Sequence, residues 1–91
     1  MSKKVLVSVF DKVSCLYSPV MTEINPDSAI RNFKIGAKQN AQISAYPDDY
    51  CLVLLGTFDD ESGEIAPVGL VDGHFPVLIQ AQDLFQSEQS C

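Results

Sequence analysis

Residues Tyr50–Phe58 read YCLVLLGTF, and the architecture of the whole chain follows from this segment. It is apolar at both alternating sets of positions, which is typical of a strand in the middle of a sheet rather than at its edge. Neighbouring elements or a second subunit must therefore cover both of its faces. A chain of 91 residues is too short for two cores. We therefore predict one domain, residues 1–85, followed by a polar C-terminal tail, residues 86–91.

A hairpin is predicted ahead of this central strand. The segment KVLVSVF, Lys4–Phe10, is rich in β-branched and aromatic residues and indicates a strand buried on at least one side. Turn-forming residues follow at 11–15, and LYSPVMTEI, residues 16–24, regains strand character. Pro19 cannot donate to a β-ladder, so this second strand is expected to be bulged or at an edge.

A second hairpin is predicted after the central strand. In DDESGE, residues 59–64, Gly63 suits the left-handed position of a type I turn with a bulge. The segment EIAPV that follows is expected to form a short edge strand limited by Pro67.

The strongest helix signal covers residues 26–38. Asn25 or Asp27 can cap its start, and Pro26 suits its first turn. Gly36 is expected to weaken or end the helix. The apolar residues at helical spacing are Ala29, Ile30, Phe33 and Ala37.

The fold class expected from these elements is α+β. The polar segment QNAQISA, residues 39–45, is interpreted as a loop or a frayed helical end. Near the C-terminus, apolar residues at i, i+1, i+4, i+7 and i+8 predict an amphipathic helix of about ten residues. A small, mostly antiparallel sheet would then carry the 26–38 helix on one face, with the C-terminal helix closing the core. The residues of that C-terminal pattern are Val77, Leu78, Ala81, Leu84 and Phe85.

The carboxylates at the 59–64 turn do not have the register of a calcium loop. Acidic residues are common in turns because they are well solvated there, so we interpret this group as a structural turn. Magnesium or hydrolytic chemistry at Asp59 and Asp60 is the weaker alternative. His74 is the only histidine and lies in VDGHFP, where a loop or cap role is the simpler account. Because no phosphate-binding or metalloprotease motif is present, we expect no enzyme, no cofactor and no metal.

The charges are divided unevenly along the chain. The net charge is −6, but residues 1–45 carry +3 and residues 46–91 carry −9. A mostly acidic protein repels phosphate at long range, so any nucleic-acid site must be local. The basic candidates are Arg31, Lys34 and Lys38, at i, i+3 and i+7 on the predicted helix and here called the cationic stripe, together with Lys3 and Lys4.

Aromatic residues supply a second nucleic-acid signal. Tyr17, Phe33 or Tyr46 would be able to stack on unpaired bases, as aromatics do in single-strand binders. The structural alternative is a solvated helix face with Phe33 in the core. Charge pairing of the stripe with the acidic half of a second subunit also fits the sequence.

The cysteines and the N-terminus bear on localisation. Cys15, Cys51 and Cys91 are widely spaced and lack a Cys-x-x-Cys pair, which favours free thiols in a reducing cytoplasm. No apolar run approaches the length of a membrane span, and the N-terminal segment meets Asp11 after a short apolar stretch. We therefore expect a protein that is neither exported nor inserted in a membrane.

Three segments in order, residues 4–20, 26–34 and 46–65, resemble the small nonstructural protein of gokushoviruses, single-stranded DNA phages of the Microviridae. The resemblance covers about residues 3–68. It implies a non-virion accessory protein in the host bacterial cytoplasm, linked to viral DNA replication, single-strand synthesis or packaging. It transfers no catalytic motif and no contact residues. The residues that carry it are Asp11, Tyr17, Pro19, Ala29, Arg31, Phe33, YPDDY at 46–50 and GTFDDESG at 56–63.

Two functional hypotheses remain from the sequence. In the first, the protein binds single-stranded DNA or a replication protein, with the cationic stripe contacting phosphates. In the second, it is an acidic protein-interaction module that uses residues 46–91 to engage a basic viral or host replication factor. Homodimerisation through an edge strand or the apolar side of the sheet is expected in either case.

Overall fold

A single sheet with helices on one side organises the chain in the computed structural model, which describes residues 3–84. In chain order the strands and helices are β1 (Lys3–Asp11), β2 (Leu16–Tyr17), β3 (Met21–Glu23), α1 (Pro26–Gln39), α2 (Ala41–Ala45), β4 (Tyr50–Asp59), β5 (Ile65–Pro67) and β6 (Val77–Gln80). A 3-10 turn, Pro47–Asp49, lies between α2 and β4.

Strands β1 and β4 form the centre of the sheet and pair antiparallel along their lengths. Strands β2 and β3 flank β1, and β5 and β6 flank β4, all in antiparallel pairs. The register shifts between Leu6 and Val7, where Leu55 of β4 is the extra residue. The central position of β4 and the predicted α+β class are confirmed.

The strand after the first turn is interrupted, as the proline in it predicted. Strands β2 and β3 both pair with β1, and residues 18–20 between them, which include Pro19, are outside the ladder. In the second hairpin, Gly63 has the predicted left-handed conformation, with a φ of 79°, and the strand after it ends at Pro67 as predicted. Both hairpins are therefore confirmed.

Helix α1 begins where the sequence indicated. Asn25 is its N-cap and accepts a hydrogen bond from the Ser28 N–H at 2.8 Å, with Pro26 in the first turn. The helix does not end at Gly36 but continues to Gln39, because the core residue Ala37 and the cap at Asn40 hold its last turn.

Two segments differ from the prediction. Residues 41–45 are the helix α2 rather than a loop, because the Asn40 side chain accepts from the N–H groups of Gln42 and Ile43, and Ile43 is buried. Residues 77–80 form strand β6, paired with β4, and only the described residues 81–84 are helical. The predicted helix position Phe85 and the tail at 86–91 lie outside the described residues.

The helices cover one face of the sheet. The core on that face joins α1 and α2 to β1, β4 and the helical residues 81–84, and its central strand residues are Val7 and Leu52. Residues that alternate with these, such as Cys51 and Val53, are buried on the opposite face. Within residues 3–84, no helix is long and apolar enough to cross a membrane.

Candidate nucleic-acid interface

Helix α1 carries all three residues of the cationic stripe. Because the helix continues past Gly36, Arg31, Lys34 and Lys38 fall within one side of it, and all three are exposed. Lys38 is in the last turn, where a cation interacts favourably with the helix dipole. Asp27 precedes Arg31 by four residues on the same side, so the stripe carries one acid at its N-terminal end.

The other two basic candidates lie on β1 rather than on α1. Lys3 and Lys4 are at the start of β1, opposite Asp59 and Phe58 of β4. The Lys4 Nζ atom is 2.7 Å from Asp60 Oδ2, in a pair that is about two-thirds buried on both sides. Lys4 therefore forms an ion pair with the acidic turn and lies on β1, not on the helix that carries the cationic stripe.

The acidic turn is held by its own first residue. Asp59 Oδ1 accepts from the Glu61 N–H at 2.9 Å and from the Ser62 N–H at 3.4 Å, and the Gly63 N–H donates to the Asp59 carbonyl oxygen at 2.7 Å. The Glu61 N–H, more than the Ser62 N–H and the nearby Lys3, lowers the pKa of Asp59 against a smaller opposing effect of burial. The predicted turn at this cluster is confirmed, and its structural role stays a prediction. Asp59 and Asp60 have different partners, which argues against their acting together on a metal.

The three stacking candidates are in different environments. Phe33 is 7% exposed and belongs to the core under α1, so it cannot stack on a base. Tyr46 is 62% exposed, between α2 and the following 3-10 turn. Tyr17 is 48% exposed and packs with other aromatic rings on the face of the sheet opposite α1.

Those rings form one side of a cavity that we call the aromatic pocket. The Tyr17 ring centroid is 4.7 Å from that of Phe10 and 6.0 Å from that of Phe75, the second pair edge to face. The pocket has a volume of about 280 Å³. Its lining residues are Phe10, Lys12, Tyr17, Cys51, Val53, His74, Phe75, Val77 and Gln80.

Lys12 and Cys51 set the polarity of one part of the aromatic pocket. The Lys12 ammonium donates to Gln80 Oε1 at 2.7 Å and to the Asp48 carbonyl oxygen at 3.2 Å. Burial raises the pKa of the Cys51 thiol, although the nearby Lys12 opposes the shift. Cys51 is therefore a protonated, apolar part of the wall.

Sequence reasoning missed this pocket because its lining comes from four separate parts of the chain. Phe75 reaches it through a tight turn in which Asp72 and Gly73 both have positive φ, 55° and 80°. The backbone of Val71 pairs with that of His74 across this turn, which confirms a loop role for His74. The one available signal was Tyr17, a stacking candidate in the predicted edge strand at residues 16–24.

These features define a small α+β domain with an exposed basic helix on one side of its sheet and an aromatic pocket on the other. The family model described as phage ORF5 protein matches residues 4–80. The chain therefore belongs to the phage ORF5 protein family. This confirms the resemblance to a phage family at that level and extends it through β6. No curated protein and no solved structure matches the chain.

Proposed function

We propose that this protein is a non-enzymatic phage accessory protein that binds single-stranded DNA through the cationic stripe. It acts in the host bacterial cytoplasm, in viral DNA replication, single-strand synthesis or packaging, and its source is a gokushovirus or a related member of the Microviridae. Membership of the phage ORF5 protein family supports the phage origin. The order of motifs in the sequence supports the narrower assignment.

The exposure of Arg31, Lys34 and Lys38 together on one side of a capped helix carries the DNA-binding proposal. Proteins that bind single strands without sequence preference track the phosphate backbone with a run of positive charge, which these three cations would supply. The net charge of −6 opposes approach from a distance, so we expect binding to be tight only at low salt.

Fluorescence anisotropy with a labelled single strand across a salt series tests this mechanism. Replacing all three stripe residues with glutamine should weaken binding at low salt and lower the log–log salt slope by about 2, since each single-strand phosphate contact contributes roughly 0.7. Lys4→Gln is the matched control, because Lys4 is already paired with Asp60. An unchanged slope in the triple variant would remove the stripe as the binding site.

The second candidate function is an acidic interaction module. Residues 46–91 contain nine acidic and no basic residues, and among those described Asp48, Asp60, Glu64 and Asp72 are exposed. This function predicts no retention of single-stranded DNA at low salt and capture of a basic replication protein that salt releases.

A homodimer is proposed as the working form under either function. Large apolar side chains are exposed along the β2–β3 edge, at Val13, Leu16, Val20, Met21 and Ile24. Exposed apolar side chains concentrated in one part of a surface commonly mark an interface. Light scattering should give twice the chain mass, and Leu16→Lys should return the mass to that of one chain.

A further inference from the structure

We propose that the aromatic pocket holds one unpaired nucleobase of the bound single strand, stacked against Tyr17. The inference rests on the proposed function for the identity of its ligand, but it concerns a site on the opposite face of the sheet from the cationic stripe. The two sites share no residue, so each can be tested separately.

The size of the pocket suits a single flat ring system. Its volume of about 280 Å³ is just below the roughly 300–1,000 Å³ of pockets that enclose whole drug-sized ligands. The floor is apolar and fixed, because Cys51 and Val53 are buried in the central strand β4. Such a floor offers an apolar surface to the flat face of a base.

The aromatic wall supplies the stacking surface. Tyr17 is half exposed although it is held between Phe10 and Phe75, so part of its ring is fixed in position and open to a ligand. Bases gain affinity from stacking on such rings regardless of their sequence. Ordering the ring in advance reduces the entropy that binding would otherwise cost.

Lys12 and Gln80, two of the polar residues that line the pocket, carry donors that select among the bases. The Lys12 ammonium has three N–H groups and gives two of them to Gln80 and Asp48, which leaves one for a ligand. Gln80 uses its Oε1 atom for Lys12, and within residues 3–84 its Nε2 group has no acceptor. Donors favour bases with carbonyl oxygens, such as thymine, over adenine, whose exocyclic amine is itself a donor.

The first test is an NMR titration with thymidine, which has no phosphate and so does not depend on the cationic stripe. We expect amide shifts confined to the surroundings of Tyr17, Phe75 and Gln80, and weaker shifts with deoxyadenosine. Tyr17→Leu keeps an apolar contact with Phe10 but removes the stacking ring, and should weaken thymidine binding by about tenfold. Tyr46→Leu removes the other exposed stacking candidate, which lies outside the pocket, and should leave thymidine binding unchanged if the pocket is the site.

The second test compares a labelled oligothymidylate with an abasic strand of the same length. The normal protein should bind the abasic strand several-fold more weakly, and Tyr17→Leu should abolish that difference while keeping the salt slope.

The outcomes separate the two proposals. Salt-dependent binding of the strand without any thymidine shifts would overturn the pocket and leave the proposed function standing. Thymidine shifts without strand binding would overturn the proposed function and, with it, the assignment of the pocket to a base of a bound strand, leaving only a site for a free nucleoside. Shifts of the same residues that depend on protein concentration alone would identify a second copy of the chain as the occupant and overturn the inference. Equal shifts with deoxyadenosine would overturn the roles of Lys12 and Gln80.

Discussion

The buried hydroxyl of Ser8 is 2.8 Å from the carbonyl oxygen of Ser18, to which it donates a hydrogen bond across the break between β2 and β3. Ser18 in turn accepts from the Val9 N–H through its own hydroxyl at 2.9 Å, and its N–H donates to the Val9 carbonyl oxygen. The two serines thus connect the interrupted edge to β1 where the regular ladder is absent.

Replacing Ser8 with alanine should destabilise the protein by about 1–3 kcal/mol, because the fully buried site loses its hydroxyl and leaves a carbonyl partner less satisfied. Chemical denaturation measures the change in the free energy of unfolding. Ser28→Ala, in the first turn of α1, is the control and should stay within about 0.5 kcal/mol. Equal effects at the two serines would contradict the role of Ser8.

Two glycines should respond to alanine in opposite directions. A Cβ atom at Gly56 would be 2.5 Å from the Ala66 carbonyl oxygen on β5, so Gly56→Ala should cost about 1–3 kcal/mol. A Cβ atom at Gly36 would meet nothing within 4 Å, so Gly36→Ala should stabilise α1 by about 0.5–1 kcal/mol. Thermal unfolding, monitored by circular dichroism, measures the change in stability of each variant. A stabilised Gly56→Ala variant would contradict the close approach of β5 to β4.

The two asparagine caps should each contribute measurably. Asn25→Ala and Asn40→Ala remove side-chain acceptors at the starts of α1 and α2, and each should lower the free energy of unfolding by about 1 kcal/mol. Asn25→Ser and Asn40→Ser keep an acceptor and should recover most of the loss. If serine is no better than alanine at either position, the cap is not the cause.

The acidic turn should contribute to the pH dependence of stability. The pKa of Asp59 is lowered in the folded protein, chiefly by the Glu61 N–H, so its contribution is present above the unfolded pKa of about 3.9 and is lost as the pH falls through the folded value. Asp59→Asn should therefore be less stable than the normal protein at neutral pH, and the difference should shrink below about pH 4. Chemical denaturation at several pH values measures this difference in the free energy of unfolding. A constant difference at all pH values would show that the charge is not involved.

The parts of the fold that the sequence predicted are those specified by local chemistry. The cap at Asn25, the left-handed Gly63 and the two-sided apolar pattern of β4 each depend on neighbouring residues alone. The cationic stripe was predictable for the same reason, since it needs only the helix around it. These features therefore did not require knowledge of the tertiary structure.

The parts that were missed depend on distant partners. The apolar positions in 77–84 fit helical spacing, but pairing of Val77–Gln80 with β4 decides in favour of a strand. Helix α2 has a polar sequence, and burial of Ile43 under the sheet stabilises it. The aromatic pocket forms only when the turn at 72–73 brings Phe75 over Tyr17.

Prolines stand beside the outer strands of the sheet: Pro19 between β2 and β3, Pro67 at the end of β5 and Pro76 just before β6. A proline offers no N–H to an incoming chain, so neither border can serve as a long template for adding strands. A partner at either border therefore meets few consecutive main-chain groups to pair with, which disfavours the growth of crowded copies into amyloid-like fibres.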